Sequence, residues 1–479
     1  VTTQAQAPVL QTYADMDAFV AATRTAVFVR AVDQLLLIRP EKTLGINGTA
    51  AAILTALYDR SSRGSEPALS GVARRYRVPV DRVRFDASEL LGTIRAMMRD
   101  DFTDRPHVRR VGFDRERVRY PVMAEIALTY RCQNRCAFCY AASPARTDDA
   151  PPMTTGQVER VMDRIFHEAH VPSLSFTGGE STLRSDLPAL VRYGAELGFR
   201  MNLITNGVRL GHRDYLARLV GAGLASAQVS LEADHAELHD RIVGRRGAFA
   251  ATVRGVDNVR TAGLHVHTNT TLCRSNIDRA EDIVRFVARS LGLRTSSMNF
   301  LIRTGSGLAD EAPVTYAEVA ELLPRLVETA RTERIKLVWY SPLPYCVLNP
   351  VLLGQGAKSC ACVSGILSVS PTGQLLPCSS FQQGLGSLLD HPYEELFESP
   401  AARYWRERGY LPPPCRGCTD LDVCGGACPL YWDAVGSFGE IPRSEGQSPE
   451  LAAEWRHARR AGMSFGVPRP ASMPAPGGH

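Results

Sequence analysis

Twelve cysteines are the residues of this chain best suited to chemistry: Cys132, Cys136, Cys139, Cys273, Cys346, Cys360, Cys362, Cys378, Cys415, Cys418, Cys424 and Cys428. The first three stand as C-x3-C-x2-C, a triplet that twelve scattered cysteines would give on the order of once in a hundred such chains. Three thiolates on one short loop hold three corners of a cubane iron-sulfur cluster and leave the fourth iron open to bind a substrate or cofactor. A tetrahedral zinc wants a fourth ligand at C-x2-C type spacing, and no nearby histidine supplies one. Seven further cysteines fall between Cys360 and Cys428, more than one metal centre uses, so two more clusters are expected. A zinc ribbon is the alternative for the Cys415, Cys418, Cys424, Cys428 portion taken alone. Cys273 has no partner in sequence and reads as a packed small residue.

These cysteines need a scaffold. From Pro121 the chain alternates strand-like runs, AEIALTY, SLSFTG, RMNLITN, SAQVSLEA, HVHTNTTL and SSMNFLI, with amphipathic helical segments. Six such repeats predict an α/β fold, a partial (β/α)6 TIM-like barrel over residues 121–342, with reactive groups at the C-terminal strand ends. Cys132 follows the first of those strands. Residues 343–440 show no long apolar period and are expected to need an inorganic staple, and residues 441–479 read as a disordered tail. Ahead of the barrel, TAVFVRAVDQLLLI reads as a hairpin, and three helical patterns follow at GTAAAILTALYD, LSGVARRYRVP and ASELLGTIRAMMRD. A hairpin with three helices predicts a winged helix over residues 1–100, joined to the barrel by an Arg- and Asp-rich linker at 101–120.

Composition narrows the class. Apolar residues at 44% and charged residues at 22% describe a globular chain, and no apolar run approaches a membrane span. No secretory signal is visible, so the expected location is cytoplasmic and the thiols are expected to be reduced. The net charge is +5, and lysine occurs only at Lys42, Lys336 and Lys358. The arginines are dispersed rather than clustered, so charge predicts neither a nucleic-acid nor a membrane partner.

The loop CQNRCAFC, with Phe138 before the last cysteine, closely resembles that of the radical S-adenosylmethionine enzymes. The resemblance implies a [4Fe-4S] cluster on Cys132, Cys136 and Cys139 whose open iron chelates S-adenosylmethionine. Electron transfer then yields a 5'-deoxyadenosyl radical that abstracts hydrogen from an unactivated C–H bond. Gly178, Gly179 and Glu180 follow the second strand, where bare backbone can approach a ligand and a carboxylate suits its ammonium group. Thr205 and Asn206, and Ser230 and Glu232, stand where similar enzymes contact the ribose or the methionine. Arg241 is a candidate partner for the cofactor carboxylate. Ordinary turn and cap roles are the alternative for these polar groups.

The C-terminal cysteines resemble the SPASM extension of the same enzymes. The resemblance implies one auxiliary iron-sulfur cluster on Cys360, Cys378 and Cys428, with Cys362 preferred to Cys346 as fourth ligand. A second auxiliary cluster would sit on Cys415, Cys418 and Cys424. No cysteine follows Cys428, so that cluster would take an oxygen ligand such as Asp433 or Glu440, keep an open iron, or be lost. Near the N-terminus, LLLIRPEKTLGINGTAAAILTALYD with Asp86 resembles the PqqD-like RiPP recognition element. That resemblance implies that the leader of a precursor peptide adds as a strand to the hairpin edge, Val27 to Val32. Together these resemblances imply a radical enzyme that modifies a ribosomally made precursor peptide, forming an intramolecular cross-link, with a flavodoxin or ferredoxin as electron donor. A maturase acting on a folded protein is the alternative. A metal-containing DNA-binding regulator is a further one, for which VARRYRVPVDRV would carry the recognition arginines. No catalytic acid or base is chosen.

Overall fold

The computed structural model describes residues 10, 12–39, 42–59, 61–99, 108–110, 119–143, 146, 150–309, 312–381, 383–442 and 449–464. The chain divides into two compact units, Val1–Tyr120 and Pro121–His479.

In the first unit, α1 (Tyr13–Thr23) precedes β1 (Val27–Arg30), β2 (Leu35–Ile38) and β3 (Lys42–Ile46). Then come α2 (Gly48–Tyr58), α3 (Ser65–Tyr76), α4 (Val80–Met98) and β4 (Val108–Arg110). Gln34 takes the left-handed conformation that closes the β1–β2 turn, and every residue of β2 is buried, so β2 is an interior strand. Asn47 starts α2 by accepting a hydrogen bond from the Ala50 amide (2.8 Å), and Leu54, Leu91 and Ile94 close the core over the sheet. The strands lie antiparallel in the order β1-β2-β3-β4. The expected hairpin and three helices are present; α1, β3 and β4 are additions. The linker expected at 101–120 thus contributes a strand, Val108–Arg110, whose three residues carry no apolar period by which to read it.

The second unit is built on β5 (Met123–Thr129), β6 (Ser173–Gly178), β7 (Arg200–Thr205), β8 (Leu224–Ser230), β9 (His265–Leu272), β10 (Thr295–Phe300) and β11 (Lys336–Trp339). These seven strands run parallel. They are linked through α5 (Thr155–His167), α6 (Leu187–Leu197), α7 (Arg213–Gly221), α8 (Ala236–Val243), α9 (Ala248–Thr261), α10 (Ala280–Arg289) and α11 (Tyr316–Thr332). All six expected strands are there, and β11, only four residues long, is a seventh.

The sheet continues past β5. Strand β12 (Ile366–Val369) runs parallel beside it, and β13 (Gln374–Leu376) and β14 (Gly386–Ser387) follow antiparallel, giving an open order β11-β10-β9-β8-β7-β6-β5-β12-β13-β14. The cysteine-rich segment is therefore an extension of the barrel sheet. Glu125 on β5, buried, accepts a hydrogen bond from Ser368 on β12 (2.6 Å), and burial raises its carboxyl above the usual range.

Short helices α12 (Tyr393–Phe397), α13 (Pro400–Arg406), α14 (Leu421–Cys424) and α15 (Pro429–Val435), with the longer α16 (Pro449–Ser464), complete the unit. Here one expectation, the tail beyond residue 441, is corrected. The segment has a core of its own: Trp405, Tyr410, Trp432 and Phe438 are fully buried and pack edge to face or tilted on their neighbours. Residues 449–464, read as tail, form α16, whose buried Trp455 indole donates to the Tyr410 carbonyl at 3.0 Å. The final residues of the expected tail, 465–479, lie outside the described residues. Among the described residues no helix is long and apolar enough to cross a membrane.

Candidate cofactor and cluster sites

Cys132, Cys136 and Cys139 lie on the loop that leaves the C-terminal end of β5. Two other loops clamp it. The amides of Arg135 and Ala137 donate to the carbonyls of Val243 (2.8 Å) and Ile242 (3.1 Å) at the end of α8, and Phe138 packs on Ala233, Leu238 and Ile242. From the other side the Ser306 amide donates to the Cys139 carbonyl at 2.8 Å, and a β-carbon on Gly305 would strike the Cys139 and Tyr140 carbonyls. Gly305 and the end of α8 were missed by sequence reasoning; the only available signal was the GSG run after the sixth strand.

Among the described residues no three His, Cys, Asp or Glu side chains close tightly enough to cage a single ion. What the three thiols share is an electrostatic field. Burial pushes Cys132 up to about 11, opposed by a hydrogen bond from the Asn134 amide (3.4 Å). Burial also pushes Cys136 well up, and the charges of Glu232, Cys139 and Cys132 add to it.

Gly178, Gly179 and Glu180 meet this loop from β6. The Gly179 amide donates to the Thr129 carbonyl (2.7 Å) and the Glu180 amide to the Arg131 carbonyl (2.9 Å). A β-carbon on Gly179 would stand 2.5 Å from the Tyr130 carbonyl oxygen. The glycines expected to admit a ligand are thus bare because the backbone leading to Cys132 passes across them. Glu180 is buried, and its carboxylate accepts from the Thr182 amide (3.1 Å), the Thr182 hydroxyl (2.7 Å), the Thr205 hydroxyl (2.8 Å) and the Asn206 amide (2.8 Å). Burial raises its pKa and these four bonds oppose the rise. Asn206 completes the connection: its side chain accepts from Gln133 (3.0 Å) and reaches toward the Cys132 sulfur (3.8 Å).

On β8, half-buried Ser230 faces Asn269 across the sheet. Glu232 is buried just beyond it, accepts from the Thr271 amide (2.9 Å), and is pushed up to about 8 by burial. Its own amide donates to His239 Nδ1 (3.1 Å), so that ring is an acceptor there. Arg241 is brought to neither group. Its side chain is 63% exposed on α8, with Glu237 as an ion partner at 3.9 Å.

Farther along, four cysteines gather. Cys360 and Cys362 have their sulfurs 3.2 Å apart. Hydrogen bonding to Cys360 and then Cys378, with burial, raises the Cys362 thiol; burial and the charges of Cys360 and Cys378 raise Cys428. Cys346, in contrast, is exposed. Cys415 and Cys418 share a turn, the Cys418 amide donating to the Cys415 carbonyl (3.2 Å), while the Cys424 sulfur accepts from the Tyr345 amide (3.4 Å). Glu440 is committed elsewhere, to the Tyr431 hydroxyl and to the Ala317 amide (3.0 Å). Cys273 is buried, its amide bonded to the Asn276 side chain (2.8 Å).

Comparison with known proteins identifies this arrangement. Residues 126–287 match the radical SAM superfamily, and residues 360–419 match the SPASM iron-sulfur cluster-binding domain. The chain carries a radical SAM domain followed by a SPASM domain. Its cofactors are S-adenosylmethionine and iron-sulfur clusters. The AdoMet-dependent heme synthase of Oleidesulfovibrio alaskensis is 29% identical over 62% of this chain and 80% of the relative. The PqqA peptide cyclase of Methylocella silvestris is also 29% identical, over 64% of this chain and 82% of its own. In fold, the chain is similar to SuiB of Streptococcus suis bound to the precursor peptide SuiA, with a TM-score of 0.60 and 15% identity over 85% of this chain and 94% of that one. It is also similar to anSMEcpe with bound AdoMet, with a TM-score of 0.53 and 15% identity over 71% of this chain and 97% of that one.

The donors of the radical SAM domain fit the cofactors. Cys132 and Cys136 are raised by burial and by the neighbouring charge of Cys139, so as thiolates they are stable beside a cation, and iron supplies that charge. Asn134 Oδ1, on the same loop, is buried without a hydrogen-bond partner among the described residues, as an atom awaiting a bound group would be. In the C-terminal segment Cys362 and Cys428 are raised in the same way by the neighbouring Cys360 and Cys378, a set of thiols that fits a cluster.

Proposed function

We propose that this chain modifies a ribosomally synthesised precursor peptide by radical hydrogen abstraction and forms a cross-link within it. S-adenosylmethionine, when bound and given one electron, supplies the 5'-deoxyadenosyl radical for that abstraction. Cys132, Cys136 and Cys139 hold the reducing cluster. Glu180, through the remaining capacity of its second carboxylate oxygen, Asn206, Ser230 and Glu232 orient the cofactor; Thr205, bonded to Glu180, holds that carboxylate in place. Cys360, Cys362, Cys378 and Cys428 would hold one auxiliary cluster and Cys415, Cys418 and Cys424 a second, which would supply one-electron redox chemistry to the reaction. A flavodoxin or ferredoxin delivers the first electron, and the reaction belongs in the cytoplasm.

The observation that carries the peptide reading is the sheet of the first unit. Among the described residues its outer strand β1 has one neighbour, β2, and so offers an edge for β-augmentation by a leader, in keeping with a PqqD-like winged helix. The likeness to SuiB supports it as well. The second unit is about three quarters of the chain, so a match over 85% extends into the first. A second reading, heme formation, is favoured by the equal identity to heme synthases.

The test is anaerobic incubation of the reconstituted chain with S-adenosylmethionine, reductant and the short peptide encoded beside its gene. The expected result is 5'-deoxyadenosine and a peptide lighter by two hydrogens. Removal of residues 1–100 is expected to spare cofactor cleavage and abolish peptide turnover. An unchanged peptide mass with the full chain refutes the proposal, and heme formation by the truncated chain establishes the second reading.

A further inference from the structure

The first unit holds a cavity of about 610 Å3 that neither the sheet edge nor the cofactor chemistry uses. It is a groove between α2 and α3, floored by Ala52, Ala56, Ala68, Gly71 and Val72 and bordered by Arg63, Arg75 and Tyr76. We infer that this groove docks an amphipathic helical segment of the precursor peptide, its apolar face on the alanine floor and its carboxylates on Arg63 and Arg75. The inference rests on the peptide-modifying reading and adds a second contact to it, separate from the β1 edge.

Three observations lead there. The first is Gly71. It lies inside α3 with ordinary helical backbone, and an added β-carbon would meet only the tip of Arg74 at 3.9 Å. A glycine inside a helix costs stability relative to alanine, and no neighbour within the unit demands this one. It leaves the middle of the trough open, with room there for a β-carbon and for the side chains of a docked segment. The second is the border charge. Arg63 and Arg75 are exposed and carry no ion pair among the described residues, Arg75 lying over the Tyr76 ring at 5.8 Å. The bordering acid, Asp59, is turned into its own loop, accepting from the Ser61 amide (2.8 Å) and hydroxyl (2.9 Å). Free guanidinium groups beside an apolar trough select an acidic amphipath.

The third is the backbone of the walls. Helices α2 and α3 satisfy their own amides and carbonyls, so an extended segment laid between them would leave its polar backbone facing alanine methyl groups. A helix brings its hydrogen bonds with it. The small floor residues also let a third helix approach closely enough to seat large apolar side chains in the trough.

The experiment uses the full, reconstituted chain and a fluorescein-labelled synthetic peptide of roughly 18 residues, with leucine at i, i+3, i+4 and i+7 and glutamate elsewhere. Fluorescence anisotropy is expected to show saturable binding. Gly71→Trp, which fills the trough, is expected to weaken binding at least about tenfold, and so is the surface pair Arg63→Glu/Arg75→Glu. A lysine-for-glutamate peptide is expected to recover affinity for the charge-reversed pair. Gly71→Ala is expected to bind as the parent does, and its melting curve checks the fold. Equal affinity of the parent for the acidic and basic peptides, undiminished binding to Gly71→Trp, or displacement of the peptide by duplex DNA would overturn the inference. The peptide encoded beside the gene separates the two readings. If the parent cross-links it and Gly71→Trp does so with unchanged KM, the groove fails and the function stands; if the parent leaves it unmodified while the acidic peptide binds, the function fails alone.

Discussion

Gly179→Ala isolates the part of the site that sequence motifs describe least well. The new β-carbon would stand 2.5 Å from the Tyr130 carbonyl oxygen and 2.7 Å from its carbon, both belonging to backbone that cannot rotate away. Normal contact requires the two chains to part by about 0.5–1 Å. The bonds from Gly179 to Thr129 (2.7 Å) and from Glu180 to Arg131 (2.9 Å) run across that gap and would stretch past useful length. Losing two hydrogen bonds at about 1 kcal/mol each, with overpacking of about 1–3 kcal/mol, gives a cost near 4 kcal/mol. That is less than a typical domain's stability of about 5–15 kcal/mol, so the fold is expected to persist while the backbone entering Cys132 moves. The assay is iron and acid-labile sulfide per chain after anaerobic reconstitution, with 5'-deoxyadenosine formation under reductant. Gly179→Ala is expected to fall toward the variant in which Cys132, Cys136 and Cys139 are all alanine. Gly156→Ala, on α5 with nothing within 4 Å of the added carbon, is expected to match the parent. Parental cluster content and cleavage in Gly179→Ala would refute the reasoning.

Two further outcomes are expected. Cys362→Ala is expected to lose the iron of one auxiliary cluster yet still form 5'-deoxyadenosine, whereas exposed Cys346→Ala loses none; equal iron in the two variants would remove Cys362 from the ligand set. Burial lowers His239 to about 4 from 6.5, so between those values the unfolded chain binds a proton that the folded chain refuses. Stability from this group is complete above pH 6.5 and is lost as pH falls toward 4, by about 3 kcal/mol in all. His239→Asn, which keeps an acceptor near the Glu232 amide, is expected to flatten that slope in urea melts at pH 7 and 5.

The barrel strands were legible because each is long enough, six to eight residues, for its composition to show and is bounded by helical runs of the other period. Where the elements shorten, the reading fails. Strand β11 spans four residues, and α12, α13 and α15 span five to seven, too short for a helical period to repeat. The SPASM core is carried by Trp405, Tyr410, Trp432, Phe438 and Trp455, one or two from each piece, so no window of sequence holds enough of it to look like a core. Burial there comes from aromatic size instead of periodicity, so it leaves no apolar period to read.

The site divides along the same line between local and distant. Cysteine spacing is a property of one loop, and the choice of Cys362 over Cys346 followed from its being two residues from Cys360; the structure brings the two sulfurs to 3.2 Å. The reading of Gly178 and Gly179 was of the other kind. A glycine pair after a strand says that something approaches closely, but what approaches belongs to β5, some fifty residues away, and sequence offered a ligand as the nearest candidate. Arg241 is of the same kind, since the face of α8 that decides what its charge meets is not written in the local sequence, and the structure leaves its side chain largely exposed beside Glu237. Glu180 joins both kinds of evidence. In the proposed role its carboxylate must be held still, and four protein donors from Thr182, Thr205 and Asn206 hold it. The same Asn206 side chain reaches Gln133 and Cys132. In the proposed function, cofactor grip and cluster position are therefore mechanically coupled, and a substitution at Asn206 is expected to disturb both together.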